Sequence, residues 1–213
     1  MVKVKICGVR RLSEAETALA YGADFLGFVF YPPSSRYVTP EEARALLGEI
    51  RRRTDRGDWA AVGVFVNEPA AWVNDVARLC GLDYVQLHGT ESADYCARMA
   101  QPIIKALRLA EIDGEAVTAA RYGATRLLLD SQVPGYWGGT GQRFDWAGAR
   151  RYAGEALVAG GLTPDNVGEA LDALRPWGLD VSSGVERGGV KDPLLIRAFL
   201  ENARRWEVAT HVD

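Results

Sequence analysis

Two side chains in the sequence stand where they could pass protons to and from a ligand. Cys7 closes the run Val2-Lys3-Val4-Lys5-Ile6-Cys7-Gly8, and Asp130 closes Arg126-Leu127-Leu128-Leu129-Asp130. In the first run apolar and polar residues alternate, so a strand turns Val4 and Ile6 to one face and Lys3, Lys5 and Cys7 to the other. The Lys5 ammonium beside the thiol is expected to draw its pKa down toward neutrality, which makes a usable base. Asp130 ends a strongly apolar strand, where burial favours the protonated carboxyl and suits a general acid. A plain structural role stands beside each: Cys7 as a small buried apolar group, Asp130 as a turn cap or the partner of a lysine. Asp180 poses the same choice, because alternation turns it inward too and a pair with Lys5 competes with a catalytic role.

An anion could be held at three places. Arg36, in Tyr31-Pro32-Pro33-Ser34-Ser35-Arg36-Tyr37, offers a planar fork for a carboxylate or phosphate, with simple solvent exposure as the other reading. Gly160-Gly161 and Ser182-Ser183-Gly184 present clustered backbone amides and small hydroxyls with little side-chain bulk, as phosphate nests do. The glycine-rich stretch from Asp130 to Gln142 is long for a loop between strand and helix, and reads equally as a lid or as a plain loop. Only two histidines are present, His88 and His211, so a zinc site built on two or three imidazoles is not expected. Cys80 and Cys96 fall in helical stretches and read as packing.

Eight short apolar runs, at 2–6, 25–30, 61–66, 84–87, 103–107, 126–129, 157–159 and 179–181, read as strands. Helical spacing of apolar residues predicts helices over 40–53, 69–79, 92–100, 164–174 and 192–205. Thr39-Pro40, Thr163-Pro164 and Asp192-Pro193 each join a capping side chain to a proline that needs no amide partner, and so predict helix starts. The fifth helix, over 110–122, is interrupted by Gly114 and is expected to be short or irregular. Spacings of about 20–35 residues are those of a strand with its crossover helix, so the sheet is parallel. Eight such units close into a barrel or form a doubly wound sheet. The glycine and serine loops follow the seventh and eighth strands, where barrels often bind phosphate, which favours a single (βα)8 barrel domain over residues 1–213. Catalytic groups then belong at the C-terminal strand ends, where Cys7, His88, Asp130, Gly160 and Asp180 fall.

Across 213 residues, 25 Lys and Arg against 28 Asp and Glu leave a net charge of −3, too little for a bulk field that would hold nucleic acid or an anionic membrane. Three cysteines without a Cys-x-x-Cys pair suit a reducing cytoplasm. No run of ~18 uncharged apolar residues is present, and the basic start passes into Ser13, Glu14 and Glu16 without a signal core, so neither membrane insertion nor export is expected.

In order along the chain, several motifs together resemble the phosphoribosylanthranilate isomerase family of tryptophan biosynthesis. They are Lys5-Ile6-Cys7-Gly8, Gly27-Phe28-Val29-Phe30 with Ser35-Arg36-Tyr37, Val62-Gly63-Val64-Phe65-Val66-Asn67 and Gln86-Leu87-His88-Gly89. Leu129-Asp130, Gly138-Gly139-Thr140-Gly141 with Phe144-Asp145-Trp146, Ala159-Gly160-Gly161-Leu162 and Asp180-Val181-Ser182-Ser183-Gly184-Val185-Glu186 complete the set. The resemblance implies an Amadori rearrangement of N-(5-phosphoribosyl)anthranilate to the aminoketose, with no cofactor and no metal. It implies Asp130 as the acid that protonates the furanose oxygen and Cys7 as the base that takes the C2 proton. Arg36 would bind the anthranilate carboxylate, and Gly160, Gly161, Ser182, Ser183 and Gly184 the phosphate. His88 and Asp180 would line the substrate, although a supporting role stands for both. The implied partner is a small phosphosugar, with neither nucleic acid nor membrane, and the protein a monomer or homodimer. Another phosphosugar barrel isomerase, or a silent phosphosugar-binding barrel, is the alternative. One departure is Arg10, where a small polar residue such as threonine is expected; it bears only on the outer loop.

Overall fold

The structure, a computed structural model, describes residues 1–54, 57–108, 118–130 and 146–210. Eight parallel strands follow one another in chain order around a closed barrel. They are β1 (Lys3–Cys7), β2 (Phe25–Val29), β3 (Ala60–Phe65), β4 (Tyr84–Leu87), β5 (Ile103–Arg108), β6 (Arg126–Asp130), β7 (Ala156–Ala159) and β8 (Gly178–Val181). Each lies within a residue of its expected bounds. β8 pairs back onto β1, with Lys5 opposite Asp180.

Helices α1 (Leu12–Ala20), α2 (Pro40–Arg53), α3 (Ala70–Cys80) and α4 (Ala93–Cys96) follow the first four strands. α5 (Trp146–Ala153), α6 (Val167–Leu174) and α7 (Pro193–Thr210) follow the last three. Between β5 and β6 the described residues hold one 3-10 turn, Ala119–Tyr122, while Gly114 and the first part of the expected fifth helix lie outside the described residues. A small antiparallel hairpin, β9 (Glu186–Arg187) with β10 (Val190–Lys191), leads from β8 to α7. Among the described residues no helix is long and apolar enough to cross a membrane.

Helix starts follow the side chains that can take the free amides. Thr39 Oγ1 accepts from the Glu42 amide at 3.2 Å while Glu42 Oε2 accepts from the Thr39 amide at 2.8 Å, a reciprocal cap in front of Pro40. Asp192 Oδ1 accepts from the Leu194 amide at 2.8 Å and starts α7. The third expected start is corrected: α6 begins at Val167, and Thr163 does not cap it. Asn166 has taken over the turn, accepting from the Thr163 amide and donating to the Gly161 carbonyl, both at 2.8 Å. α4 is likewise shorter than the expected 92–100. The Asn74 side chain donates to the Arg98 carbonyl at 2.9 Å and accepts from the Ala100 amide at 3.0 Å, drawing those groups away from a helical pattern. α7, by contrast, runs past 205 to Thr210, with Trp206 Nε1 donating to Asp172 Oδ1 at 2.7 Å.

Strand alternation divides the core as expected. Val4 and Ile6 belong to the layer between sheet and helices, with Leu26, Phe28 and Leu179. Inside the barrel Phe25, Val62, Ile104, Ala106, Leu128, Leu157 and Ala159 form a separate apolar cluster. Each of the larger side chains stabilises the fold by about 1.5–3 kcal/mol through burial. With the barrel interior filled, the polar side chains near the strands' C-terminal ends have one outlet, the barrel mouth.

Candidate active site

At that mouth lies a cleft of about 720 Å³, part of it open solvent. Cys7, Arg36, His88, Asp130 and Asp180 line it, together with Gly160, Ser182, Ser183 and Gly184. Gly161, the remaining candidate, sits next to that lining in the loop after β7. Val29, Tyr31, Val64 and Val66 make an apolar wall in the same cleft.

β1 turns Lys5 and Cys7 inward, as its alternation requires, but the electrostatics differ from expectation. Lys5 is fully buried, and its Nζ donates to Asp180 Oδ1 at 2.8 Å. Burial acts against this ammonium, yet the charges of Asp180 and Cys7 lift it above its ordinary pKa. The Cys7 thiol is raised rather than drawn toward neutrality: burial is the largest cause, Lys5 pulls down, Asp180 pushes up, and Lys191 pulls down. Lys5 does pull the thiol down, but burial first and the Asp180 carboxylate second outweigh it. For Asp180 the ion-pair reading is the one the geometry bears out. Burial also raises the other two thiols, Cys80 to about 11, in keeping with packing roles.

Arg36 is not simply solvated. Its Nε and Nη2 donate to the two carboxylate oxygens of Glu186, each at 2.7 Å. Glu186 in turn accepts from Lys191 Nζ, which also donates to the Ser182 carbonyl at 3.2 Å. Ser182 Oγ donates to the Cys7 carbonyl at 3.0 Å, which ties this network to β1. Gly8 makes the arrangement possible: its φ is +81°, and a Cβ there would come within 2.5 Å of the Arg36 side chain. Arg10, the departure from the family pattern, donates to the Ser35 carbonyl at 2.8 Å and the Gly189 carbonyl at 3.1 Å. It therefore links the loop after β1 to the Arg36 loop and to the β9–β10 turn.

Across the cleft, His88 stands against Asp130. Its Nε2 is 3.2 Å from Asp130 Oδ2, and its Nδ1 is 2.9 Å from Gln86 Nε2. An amide nitrogen only donates, so in this orientation Nδ1 accepts and the Nε2 proton points to Asp130. Behind His88 a buried pair sets the loop after β4. Lys105 Nζ binds Glu91 Oε2 at 2.6 Å and the Gly89 carbonyl at 2.8 Å, while Glu91 Oε1 accepts from the Asn67 amide at 2.8 Å.

The two glycine- and serine-rich loops, after β7 and β8, are adjacent. Gly160 and Gly161 have φ of 104° and 63°, a pair of consecutive values that only glycine adopts at little cost. Gly184 packs so closely under them that a Cβ would lie 1.7 Å from the Leu162 carbonyl oxygen. Lys191 and the Lys105–Glu91 pair carried no signal in the sequence, and Glu186 and Gln86 stood only as members of the family motifs, with no site role assigned. The alternation that turns Gln86 inward beside His88 was the one clue to it. The stretch that follows Asp130 up to Gln142, which reads equally as a lid or as a plain loop, lies outside the described residues, and so do the motif residues Gly138-Gly139-Thr140-Gly141 and Phe144-Asp145.

The geometry can be set beside known proteins. A family model described as N-(5'phosphoribosyl)anthranilate (PRA) isomerase matches residues 4–202. N-(5'-phosphoribosyl)anthranilate isomerase of Geobacter sulfurreducens is 43% identical over 209 residues, covering 97% of this chain and 100% of the relative. The crystal structure of phosphoribosyl anthranilate isomerase from Thermotoga maritima matches with a TM-score of 0.84 at 40% identity, covering 96% of this chain and 100% of that one. A further crystal structure, of phosphoribosyl anthranilate isomerase in complex with reduced 1-(o-carboxyphenylamino)-1-deoxyribulose 5-phosphate, matches with a TM-score of 0.77 at 37% identity, covering 96% of this chain and 100% of that one. Barrel, ordered motifs and full-length similarity agree: the chain belongs to the N-(5'-phosphoribosyl)anthranilate isomerase family.

Proposed function

We propose that this cleft carries out the cofactor-independent rearrangement of N-(5-phosphoribosyl)anthranilate to 1-(2-carboxyphenylamino)-1-deoxyribulose 5-phosphate, a step of tryptophan biosynthesis. The observation that carries it is the meeting of Cys7 and Asp130, from β1 and β6, in one cleft with the Gly160 and Ser182–Ser183–Gly184 loops. Asp130 gives a proton to the furanose oxygen as the C1–O bond breaks, and the anilino nitrogen lone pair forms the C1=N Schiff base. The Cys7 thiolate takes the C2 proton, and the C2–H electrons form C1=C2 while the C=N pair returns to nitrogen. The enolamine then tautomerises, its C2 hydroxyl losing a proton and C1 gaining one, so atoms and charge balance with no redox partner.

The two loops hold the phosphate, Arg36 the anthranilate carboxylate, and Val29 and Val64 give its ring an apolar surface. His88 faces the acid and Asp180 fixes Lys5, so both act from the rim of the substrate. We read the chain as one barrel domain over residues 1–213, acting as a monomer or homodimer in the cytoplasm. The test is the fluorescence decay of freshly made phosphoribosylanthranilate on addition of folded protein; an unchanged decay rejects the activity.

Two substitutions separate the binding elements. Arg36→Met is expected to raise KM about tenfold or more with a smaller change in kcat, since it removes a charge-assisted pair to substrate. An unchanged KM removes Arg36 from carboxylate binding. Gly184→Ala forces the loop away from Leu162 and is expected to raise KM about tenfold, the scale of one or two lost phosphate hydrogen bonds. Steady-state kinetics with inorganic phosphate as competitor check it, because the inhibition constant of phosphate should rise in parallel.

A further inference from the structure

Lys191 and Glu186 are buried ionised groups that the acid–base scheme leaves without a part. They sit in the β9–β10 hairpin, paired across it with Glu186 opposite Lys191. The Lys191 side chain is 1% exposed and that of Glu186 is 6%. Burying two charges is costly unless they are fully partnered, and a pair that only held the hairpin could be replaced by apolar residues. Here the partners lead elsewhere. Glu186 spends one edge of its carboxylate on the Nε–Nη2 edge of Arg36, and Lys191 reaches the backbone and hydroxyl of Ser182, at 3.2 and 3.4 Å.

We propose that Lys191 and Glu186 are positioning residues for the isomerisation: Glu186 fixes the Arg36 fork for the substrate carboxylate, and Lys191 supplies a cation that the Cys7 thiolate faces. This rests on the activity proposed above.

Two consequences of charge make the case. Arg36, Glu186 and Lys191 together carry one positive charge in excess, matching one carboxylate. A fork gripped along one edge cannot swing into solvent, so its Nη1 edge meets that carboxylate already oriented, without the entropy loss of a free arginine. On the thiol side, Lys5 is paired with Asp180, and the two act on Cys7 in opposite senses. The groups facing the thiol are Lys5 from its own strand, Asp180 from β8, Lys191 from the hairpin and Arg36 from the loop after β2. Arg36 is paired with Glu186, and Lys191, which reaches the same Ser182 whose hydroxyl bonds to the Cys7 carbonyl, is a cation outside β1 that draws the thiol down. Burial lowers Lys191 and its bond to Glu186 holds it up, so Glu186 also keeps that cation charged.

The test follows the thiol itself and the turnover separately. The ultraviolet absorbance of the Cys7 thiolate, obtained by subtracting the same variant carrying Cys7→Ala, is titrated in the unsubstituted protein, Lys191→Met, Lys191→Arg and Glu186→Gln. Lys191→Met should move the Cys7 titration upward, by up to about one pH unit, and lower kcat at neutral pH by up to about tenfold, the ceiling for the loss of one nearby charge. Lys191→Arg should restore most of both. Glu186→Gln should raise KM about tenfold, since the fork is no longer held by a charged partner. Thermal melts confirm folding, and Lys191→Gln replaces Lys191→Met should the latter not fold. A Cys7 titration that does not move in Lys191→Met, or an unchanged KM in Glu186→Gln, overturns the respective assignment. If the unsubstituted protein fails to turn over phosphoribosylanthranilate, the proposed activity falls while the thiol titration still decides the role of Lys191.

Discussion

Cys7→Ala is expected to lower kcat by about 10²–10⁴-fold, the range for a general base, while KM stays within a few-fold. The substitution removes one sulfur from a buried position and leaves the Lys5–Asp180 pair in place, so its cost to folding is about 1 kcal/mol. Lost activity in a protein with a near-normal melting point therefore reports chemistry. The raised thiol pKa adds a second signature. Below that pKa the thiolate fraction grows about tenfold with each pH unit, so kcat/KM should climb from neutral into alkaline solution. Cys7→Ser, whose hydroxyl does not ionise in that range, should lose the climb together with the rate. Turnover near normal in Cys7→Ala, measured by the fluorescence decay, would falsify the assignment.

Asp130→Asn should cost as much, about 10²-fold or more in kcat, for a different reason. The asparagine keeps the size and polarity of the side chain but has no proton to give to the furanose oxygen. His88 can still bond to the amide oxygen, so the cleft keeps its shape and KM should stay within a few-fold. A discriminating measurement is the response to the leaving group. Ring opening needs the acid, whereas proton removal at C2 needs only the base, so a pre-opened Schiff-base analogue should exchange its C2 proton with solvent in Asp130→Asn and not in Cys7→Ala. Equal loss of exchange in both variants would mean that Asp130 holds the cleft rather than protonates the ring.

The barrel was legible because parallel strands buried on both faces leave short apolar runs whose spacing is set by their crossover helices. Cys7 was legible through two-residue alternation, and Asp130 as the carboxylate that ends a strongly apolar strand. What alternation does not reveal is partnership. Lys5 could be seen to point at the thiol and a pair with Asp180 stood as one of two readings, but the choice between them depends on the register between the first and last strands. Glu186 and Lys191 lie in strands of two residues, too short for any periodicity. The Thr163 start failed because Asn166, three residues on, competes for the same turn. Local rules placed the elements; contacts between distant segments decided the electrostatics.

The seam where β1 meets β8 has a consequence for how the molecule comes into being. Lys5 and Asp180 are 175 residues apart in sequence, so their pair forms only when the barrel shuts. Until then the first strand carries an ammonium with no partner and a thiol in contact with water, and loop closure over such a distance is slow. A nascent chain thus holds the reactive cysteine for most of its synthesis without the surroundings that restrain it. Closure of the last strand both completes the sheet and withdraws that sulfur from stray alkylation and oxidation.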